Sequence, residues 1–203
     1  MDTHTEDQKL SLPVVGDDGL ARPPWAAHDP LLKAYYDTEW GMPVRDEQGM
    51  FERICLEGFQ VGLSWRLILA RRDALRRAFF DFDPDKVAGM TTEHLLDDDS
   101  VIRNPKKLNA VVTNARATLG LREEGTHLGE FVWSYQPPTT PVPRAMEDVP
   151  TQSDESRQLA RDLKARGFTF VGPVTMYALM ESTGIVDTNL VGTWRRGASG
   201  VWA

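Results

Sequence analysis

The amino-acid sequence predicts an all-α protein, and three observations support that fold class. Apolar residues between 108 and 119 recur at helical spacing. Helix-starting residues, such as Asp29-Pro30 and Ser153, precede several apolar segments, and the alternating patterns typical of strands are short and few. A chain of 203 residues can bury a substantial core. We therefore expect one all-α domain over residues 21–203.

The first part of the chain predicts a tail followed by two helices. Residues 1–20 are polar, acidic and aperiodic, so we expect a disordered acidic tail. Asp29 at an N-cap and Pro30 at the first helical position predict a helix start. A longer helix begins at Asp46, and the stretch 58–62 predicts a break, because each glycine weakens a helix interior by about 1 kcal/mol.

The rest of the chain predicts further helices and one extended crossing. Apolar spacing and capping residues place these helices at 64–78, 83–90, 92–96, 105–119, 153–167 and 174–183. The proline-rich stretch 136–150 is expected to be extended, because proline removes a helical hydrogen bond.

The composition restricts what the chain binds and where it works. Its net charge is −7, whereas proteins that grip a polyanion are usually basic, so a DNA-binding function needs a local basic face. Clusters of arginine and lysine could supply one, although scattered surface charge explains them equally well. The apolar runs are too short for the roughly 20 residues that span a bilayer, and the N-terminus lacks the pattern of a secretory signal. With Cys55 as its single cysteine, we expect a cytoplasmic protein without membrane contact.

Residues 92–119 have the outline of a helix-hairpin-helix. Two predicted helices are joined by a short turn, and the N–H groups that open the second helix suit a DNA phosphate. Arg103, Lys106 and Lys107 would add positive charge there. The turn contains Asn104-Pro105 where such hairpins usually have glycines, and an ordinary helical corner remains the alternative.

Glu57 is the sharpest candidate for chemistry, because it lies within an almost wholly apolar run. An unpartnered buried carboxylate costs several kcal/mol or raises its pKa, which indicates either a satisfied structural role or a pocket acceptor. Nearby glycines would permit close approach to the backbone. Tyr35, Trp40 and Trp65 could form flat walls around a planar ligand, although such aromatics also serve as core residues.

Several spaced segments together resemble the DNA-3-methyladenine glycosylase I family. They are DPLLKAYYDTEWG, MFERICLEGFQVGLSW, FDPDKVAGM, FVWSY, RGFTFVG and GIVDTNLVG, and the resemblance covers about residues 22–195. It implies a helix-hairpin-helix base-excision enzyme that hydrolyses the N-glycosidic bond of 3-methyladenine. Its partner would be double-stranded alkylated DNA, and its product would be free 3-methyladenine.

The resemblance also implies roles for individual residues. The family's pocket glutamate falls on Glu57, its stacking tryptophan on Trp65, and its aromatic pair on Tyr35 and Trp40. Tyr177 completes the base-binding set. A cationic base leaves readily, so the family needs no catalytic aspartate, and the implied mechanism flips the nucleotide into an aromatic pocket.

The chain departs from the family at the zinc site. Many members bind zinc through cysteines and histidines, and the matching positions here are Pro23, Tyr36, Asn189 and Thr193. None is a suitable zinc ligand, so we expect no metal and no cofactor. Ala178 is a second departure, since a small hydroxyl residue is expected there.

These observations lead us to expect a monomeric DNA glycosylase. Two alternatives stay open. One is a non-catalytic protein that binds or senses alkylated bases, and the other is a glycosylase with shifted alkylpurine specificity.

Overall fold

The computed structural model describes residues 11–202 and confirms the all-α fold class. The helices of this range are α1 (Pro24–Ala27), α2 (Pro30–Thr38), α3 (Glu47–Gln60), α4 (Trp65–Ala78), α5 (Pro84–Val87), α6 (Pro105–Glu123), α7 (Leu128–Trp133), α8 (Asp154–Ala165) and α9 (Pro173–Ser182). Short 3-10 turns cover Phe80–Phe82, Glu93–Leu96 and Met146–Asp148. Strands β1 (Val14–Val15) and β2 (Ala21–Arg22) pair antiparallel, with Val14 opposite Arg22. Within the described range, no helix combines the length and apolar character that crossing a membrane requires.

The chain groups into two compact units. From the sequence we expect one domain over residues 21–203. The first unit contains the chain up to Pro43, the crossing Pro137–Thr151 and the chain from Met180 onward. The second unit contains Val44–Gln136 and Gln152–Leu179.

Buried polar groups join separate stretches of the first unit. Arg22, only 2% exposed, binds the carboxylates of both Asp18 and Asp37. The backbone N–H of Trp194 donates to the carbonyl of Ala21, which ties the C-terminal segment to strand β2. The expected disordered tail is therefore wrong for residues 11–20, which contain β1 and Asp18; residues 1–10 lie outside the described range.

Helix α3 is the centre of the second unit. It contacts α4, α6, α7 and the Phe80–Phe82 turn, and every residue from Met50 to Phe59 is buried. A helix buried on all sides must satisfy its charged side chains internally. Glu52 does so by accepting hydrogen bonds from the guanidinium groups of Arg72 and Arg76. Burial raises the pKa of Glu52, but those two hydrogen bonds outweigh it and leave the pKa below its ordinary value.

Side-chain caps fix the predicted helix starts. Asp29 and Asp46 each accept a hydrogen bond from a backbone N–H in the first turn of the helix that follows. Ser64 does the same for α4, and Ser153 for α8. These four predictions are confirmed.

The predicted break over 58–62 begins only after Gln60, because α3 continues through Gly58. The glycine allows close packing: a Cβ at this position would lie 3.3 Å from the Cβ of Phe170, a tight contact. The chain turns only after Gln60, where Gly62 has a φ of +75°.

Two other elements differ from expectation. The first helix of the predicted hairpin is a single 3-10 turn, Glu93–Leu96, while the second extends to Glu123. Helix α7 was not predicted. Its Trp133 donates to the carbonyl of Val44 at 2.6 Å and lies under the guanidinium of Arg45, 3.8 Å from the ring centroid.

Candidate active site

The predicted site residues lie in both units. Glu57, Trp65 and Tyr177 belong to the second unit, whereas Tyr35 and Trp40 belong to the first.

Glu57 lies in the last turn of α3 and is only 4% exposed. Its helix is packed on all sides from Met50 to Phe59, which fixes the backbone from which the Glu57 side chain extends. Glu52, five residues earlier on the same helix, is neutralised by two arginines. The helix therefore carries two buried carboxylates, of which Glu52 has a clear structural role.

A tight loop connects Glu57's helix to Trp65. The N–H of Leu63 donates to the carbonyl of Gln60 at 2.7 Å, and Gly62 adopts the left-handed conformation that favours glycine. The Ser64 hydroxyl accepts from the N–H of Leu67 and starts α4. Trp65 is the first residue of that helix, so its indole extends from a fixed helix end and is half-buried.

This loop borders an open groove of about 530 Å³ within the second unit. The groove is lined by Gln60, Val61, Gly62, Leu63, Ser64, Val174, Thr175 and Ala178. Tyr177, only 2% exposed, precedes Ala178 on α9. A methyl group therefore lies in the groove wall at the position where the sequence resemblance implies a hydroxyl.

Lys107 does not have the position that the sequence suggests. Its side chain is buried, and its ammonium donates to the carbonyls of Phe59, at 2.7 Å, and Val61. Burial lowers the pKa of Lys107. The predicted contact with a DNA phosphate is therefore wrong for this residue, because its donors face the end of α3 and are shielded from solvent.

The neighbouring residues of the hairpin remain candidates for a DNA contact. Arg103 and Lys106 are exposed at the start of α6. Asn104 caps that helix by accepting from the N–H groups of Lys106 and Lys107, so those two donors are already engaged. Binding of a DNA phosphate at the start of α6 would therefore rely on the charged side chains more than on free backbone N–H groups.

In the first unit, Trp40 belongs to an aromatic cluster. It stacks on Tyr36 with ring centroids 5.8 Å apart, and it meets Trp25 edge-on at 5.5 Å. Tyr35 is buried one position before Tyr36 on α2. Arg195 fixes the end of this helix by donating to the carbonyls of Asp37 and Trp40, both at 2.9 Å. This contact could not be predicted from the sequence, because 155 residues separate Arg195 from Trp40.

The residues at the family's zinc positions do not fit zinc. The Tyr36 hydroxyl donates to Asn189 Oδ1 at 2.6 Å, and burial raises the pKa of Tyr36 to about 12, which keeps the phenol protonated. Thr193 donates to the carbonyl of Leu190. Pro23 has no donor atom in its side chain. Within residues 11–202 there is also no group of three or more histidine, cysteine, aspartate or glutamate side chains that could hold a metal ion.

A small cavity of about 30 Å³ borders this cluster. Trp25, Trp40 and Glu181 line it, and its volume suits about one or two water molecules. Thr188 donates to Glu181 Oε1 at 2.6 Å. Burial raises the pKa of Glu181 to about 7, against the opposing effect of the Thr188 hydroxyl.

Comparisons with known proteins agree on one family. A family model described as methyladenine glycosylase matches residues 25–196. A curated relative, the DNA-3-methyladenine glycosylase of Haemophilus influenzae, is 42% identical over 83% of this chain and 94% of its own. A crystal structure of 3-methyladenine DNA glycosylase I matches with a TM-score of 0.82 and 39% identity, covering 85% of this chain and 97% of its own. The Staphylococcus aureus enzyme, whose structure concerns 3-methyladenine recognition, matches with a TM-score of 0.80 and 34% identity. That match covers 84% of this chain and 93% of the S. aureus chain.

Proposed function

This chain belongs to the methyladenine glycosylase family, and on that premise we propose that it excises 3-methyladenine from alkylated DNA by hydrolysing the N-glycosidic bond. It is an enzyme of DNA base excision repair. The relatives that support this conclusion match over more than nine tenths of their own length.

The chemistry of the substrate determines what the enzyme must supply. An adenine methylated at N3 is cationic in DNA and leaves as a neutral base, so its departure requires little acid catalysis. The nucleotide must leave the base stack to reach a buried group, and the pocket must then recognise the edge and the faces of the base. Water attacks the sugar carbon and loses a proton to solvent, while the glycosidic bond breaks and its electron pair leaves with the base, which becomes neutral.

The buried carboxylate of Glu57 is the observation that carries the mechanism. Held in the final turn of a packed helix, it can accept a hydrogen bond from the exocyclic amino group. A carboxylate in a site with little water also favours a cationic base over a neutral one. Normal adenine lacks that charge and keeps a strong glycosidic bond.

Stacking and DNA contact complete the proposal. Trp65 would stack on the flipped base, and Tyr177 lies beside the groove residue Ala178. Tyr35 and Trp40 are proposed as further base-binding residues, a role that rests on the family resemblance. Arg103 and Lys106 would contact the DNA backbone, and with a net charge of −7 we expect binding to be local and sensitive to salt. We also propose that the enzyme acts in the cytoplasm as a monomer without metal.

One observation supports a second candidate function. Ala178 places a methyl group in the groove wall, which removes a possible hydrogen-bond partner for a ligand. A protein that binds the alkylated base without efficient turnover, or one that prefers another alkylated purine, would fit that substitution.

Release of free bases from alkylated duplex DNA, resolved by chromatography, tests these proposals. We expect the protein to release 3-methyladenine equally well with and without a chelator. Release of a different base would favour shifted specificity. Tight binding of 3-methyladenine without release of any base would favour the lesion-binding function.

A further inference from the structure

Lys107 connects the start of one helix to the end of another. It lies in the first turn of α6, and its ammonium donates to two carbonyls at the end of α3. The last carbonyls of a helix have no partner within that helix, and a cation beside them also interacts favourably with the helix dipole. The ammonium therefore serves as a C-terminal cap for α3.

The stability of α6 alone does not explain this lysine. A cation in the first turn of a helix is disfavoured by that helix's own dipole, and burial of the ammonium adds a desolvation cost. Both costs apply to Lys107, which is only 7% exposed. The compensation comes from the two carbonyls of the other helix, so the contact serves the end of α3.

The two carbonyls bracket the connection between the proposed catalytic carboxylate and the stacking ring. Phe59 lies two residues after Glu57, and Val61 lies four residues before Trp65. Between them the helix ends, and the chain enters a loop in which Val61 and Gly62 are exposed. A loop with exposed residues and a glycine at positive φ has little packing of its own to hold it.

We propose that Lys107 is a positioning residue that fixes the Val61–Ser64 loop and thereby the placement of Trp65 relative to Glu57. The inference rests on the proposed function, since it assigns Lys107 to the same base-binding wall. Loss of the ammonium would leave two carbonyls without their donor and allow the loop to relax. A displacement of about 1 Å at a reacting group can reduce a rate on the order of 100-fold.

Lys106 provides a matched control one residue away. It lies in the same helical turn but is exposed, and its proposed partner is a DNA phosphate. Removing its charge should weaken binding to undamaged duplex and reduce the slope of log affinity against log salt by about 1. Removing the charge of Lys107 should leave that slope unchanged, because the ammonium contacts protein carbonyls.

The experiment compares wild type, Lys107→Met, Lys107→Arg and Lys106→Met. Three quantities are measured: the single-turnover rate of 3-methyladenine release at saturating enzyme, the affinity for free 3-methyladenine from tryptophan fluorescence, and the salt slope on undamaged duplex. We expect Lys107→Met to lose about 10- to 100-fold in rate and to bind the free base more weakly, with an unchanged salt slope. Lys107→Arg, which keeps charged donors, should recover part of both losses.

Two results would overturn the inference. A folded Lys107→Met with a lower melting temperature but normal rate and base affinity would show that the contact stabilises the end of α3 without positioning Trp65. A reduced salt slope with normal base affinity would make Lys107 a DNA contact. If Lys107→Met does not fold, Lys107→Gln, whose amide can still donate to a carbonyl, enters the same comparison.

The proposed function can fail separately from this inference. Wild type that binds free 3-methyladenine but releases no base would refute the activity, and the base affinities of the variants would still decide the role of Lys107. Wild type that neither releases nor binds the base would refute both.

Discussion

The Tyr36 hydroxyl donates a hydrogen bond of 2.6 Å to Asn189 Oδ1, joining helix α2 to the C-terminal segment of the same unit. Both residues occupy positions at which the family resemblance implies zinc ligands in many members. Asn189 is held in turn by Asp187, whose carboxylate accepts from both its backbone and its side-chain N–H groups. A chain of neutral and charge-assisted hydrogen bonds thus connects segments that a metal ion would otherwise connect.

Tyr36→Phe should therefore destabilise the protein, and a chelator should not. The substitution leaves the buried Asn189 oxygen without its donor, at a cost of about 1–3 kcal/mol. For a chain of this size, each kcal/mol lowers the melting temperature by about 2–4 °C. Thermal unfolding with and without chelator measures both effects. A stoichiometric content of zinc, or melting that falls with chelator, would contradict the metal-free proposal.

Glu57→Gln should reduce excision without affecting the fold. The amide can still accept a hydrogen bond, but it has no charge to favour a cationic base, and we expect a loss of at least about 100-fold in single-turnover rate. Glu52→Gln is the matched control on the same helix. It removes the charge that pairs with Arg72 and Arg76, so it should lower the melting temperature strongly. Unchanged excision by a folded Glu57→Gln would remove Glu57 from the mechanism.

Glu181→Gln should stabilise the protein in alkaline solution. Burial raises the pKa of this carboxyl from 4.5 to about 7, so the folded state favours its neutral form. The neutral, buried carboxyl of Glu181 therefore contributes stability to the folded state below about pH 4.5, and this contribution is lost as the pH rises through 7. Melting temperatures at pH 4, below the ordinary pKa of the carboxyl, should agree between the variant and wild type. At pH 8 the variant should melt higher by roughly 2–8 °C for a gain of about 1–2 kcal/mol.

The partly exposed Glu155→Gln is the control for that comparison and should change little at either pH. Equal pH profiles for wild type and Glu181→Gln would show that the cavity hydrates the carboxylate well enough to keep its pKa ordinary.

Arg103→Met should weaken binding to undamaged duplex DNA. Loss of one phosphate contact lowers the salt slope by about 1, while the single-turnover rate at saturating enzyme should remain that of wild type. Lys164→Met, at an exposed position on α8, is the control. If both variants bind alike, the start of α6 does not lie against the DNA.

Helix starts could be predicted from the sequence because their determinants are local. Asp29, Asp46 and Ser153 each cap a backbone N–H only two or three residues away. The roles of Gly58 and Lys107 could not be predicted in the same way. The room that Gly58 must leave is set by Phe170, and the acceptors of Lys107 lie 46 and 48 residues away.

The site was predictable in its chemistry but not in its supporting contacts. A carboxylate in an apolar run indicated Glu57, and the family resemblance indicated its aromatic partners. Lysine at a helix start is typical of phosphate binding, which is why Lys107 was misassigned. Arg195 lies in no recognisable sequence pattern, because its guanidinium donates to carbonyls at the end of a helix that is distant in sequence.

The paired strands near the N-terminus bind residues of the family segment from outside it. The family match covers residues 25–196, but Trp194 and Asp37 within that range are held by Ala21 and Arg22, which precede it. At the other end, the backbone of Gly197 donates to Asp187. A protein trimmed to the matched range would lose all three partners. The network of buried contacts therefore extends beyond the segment that defines the family.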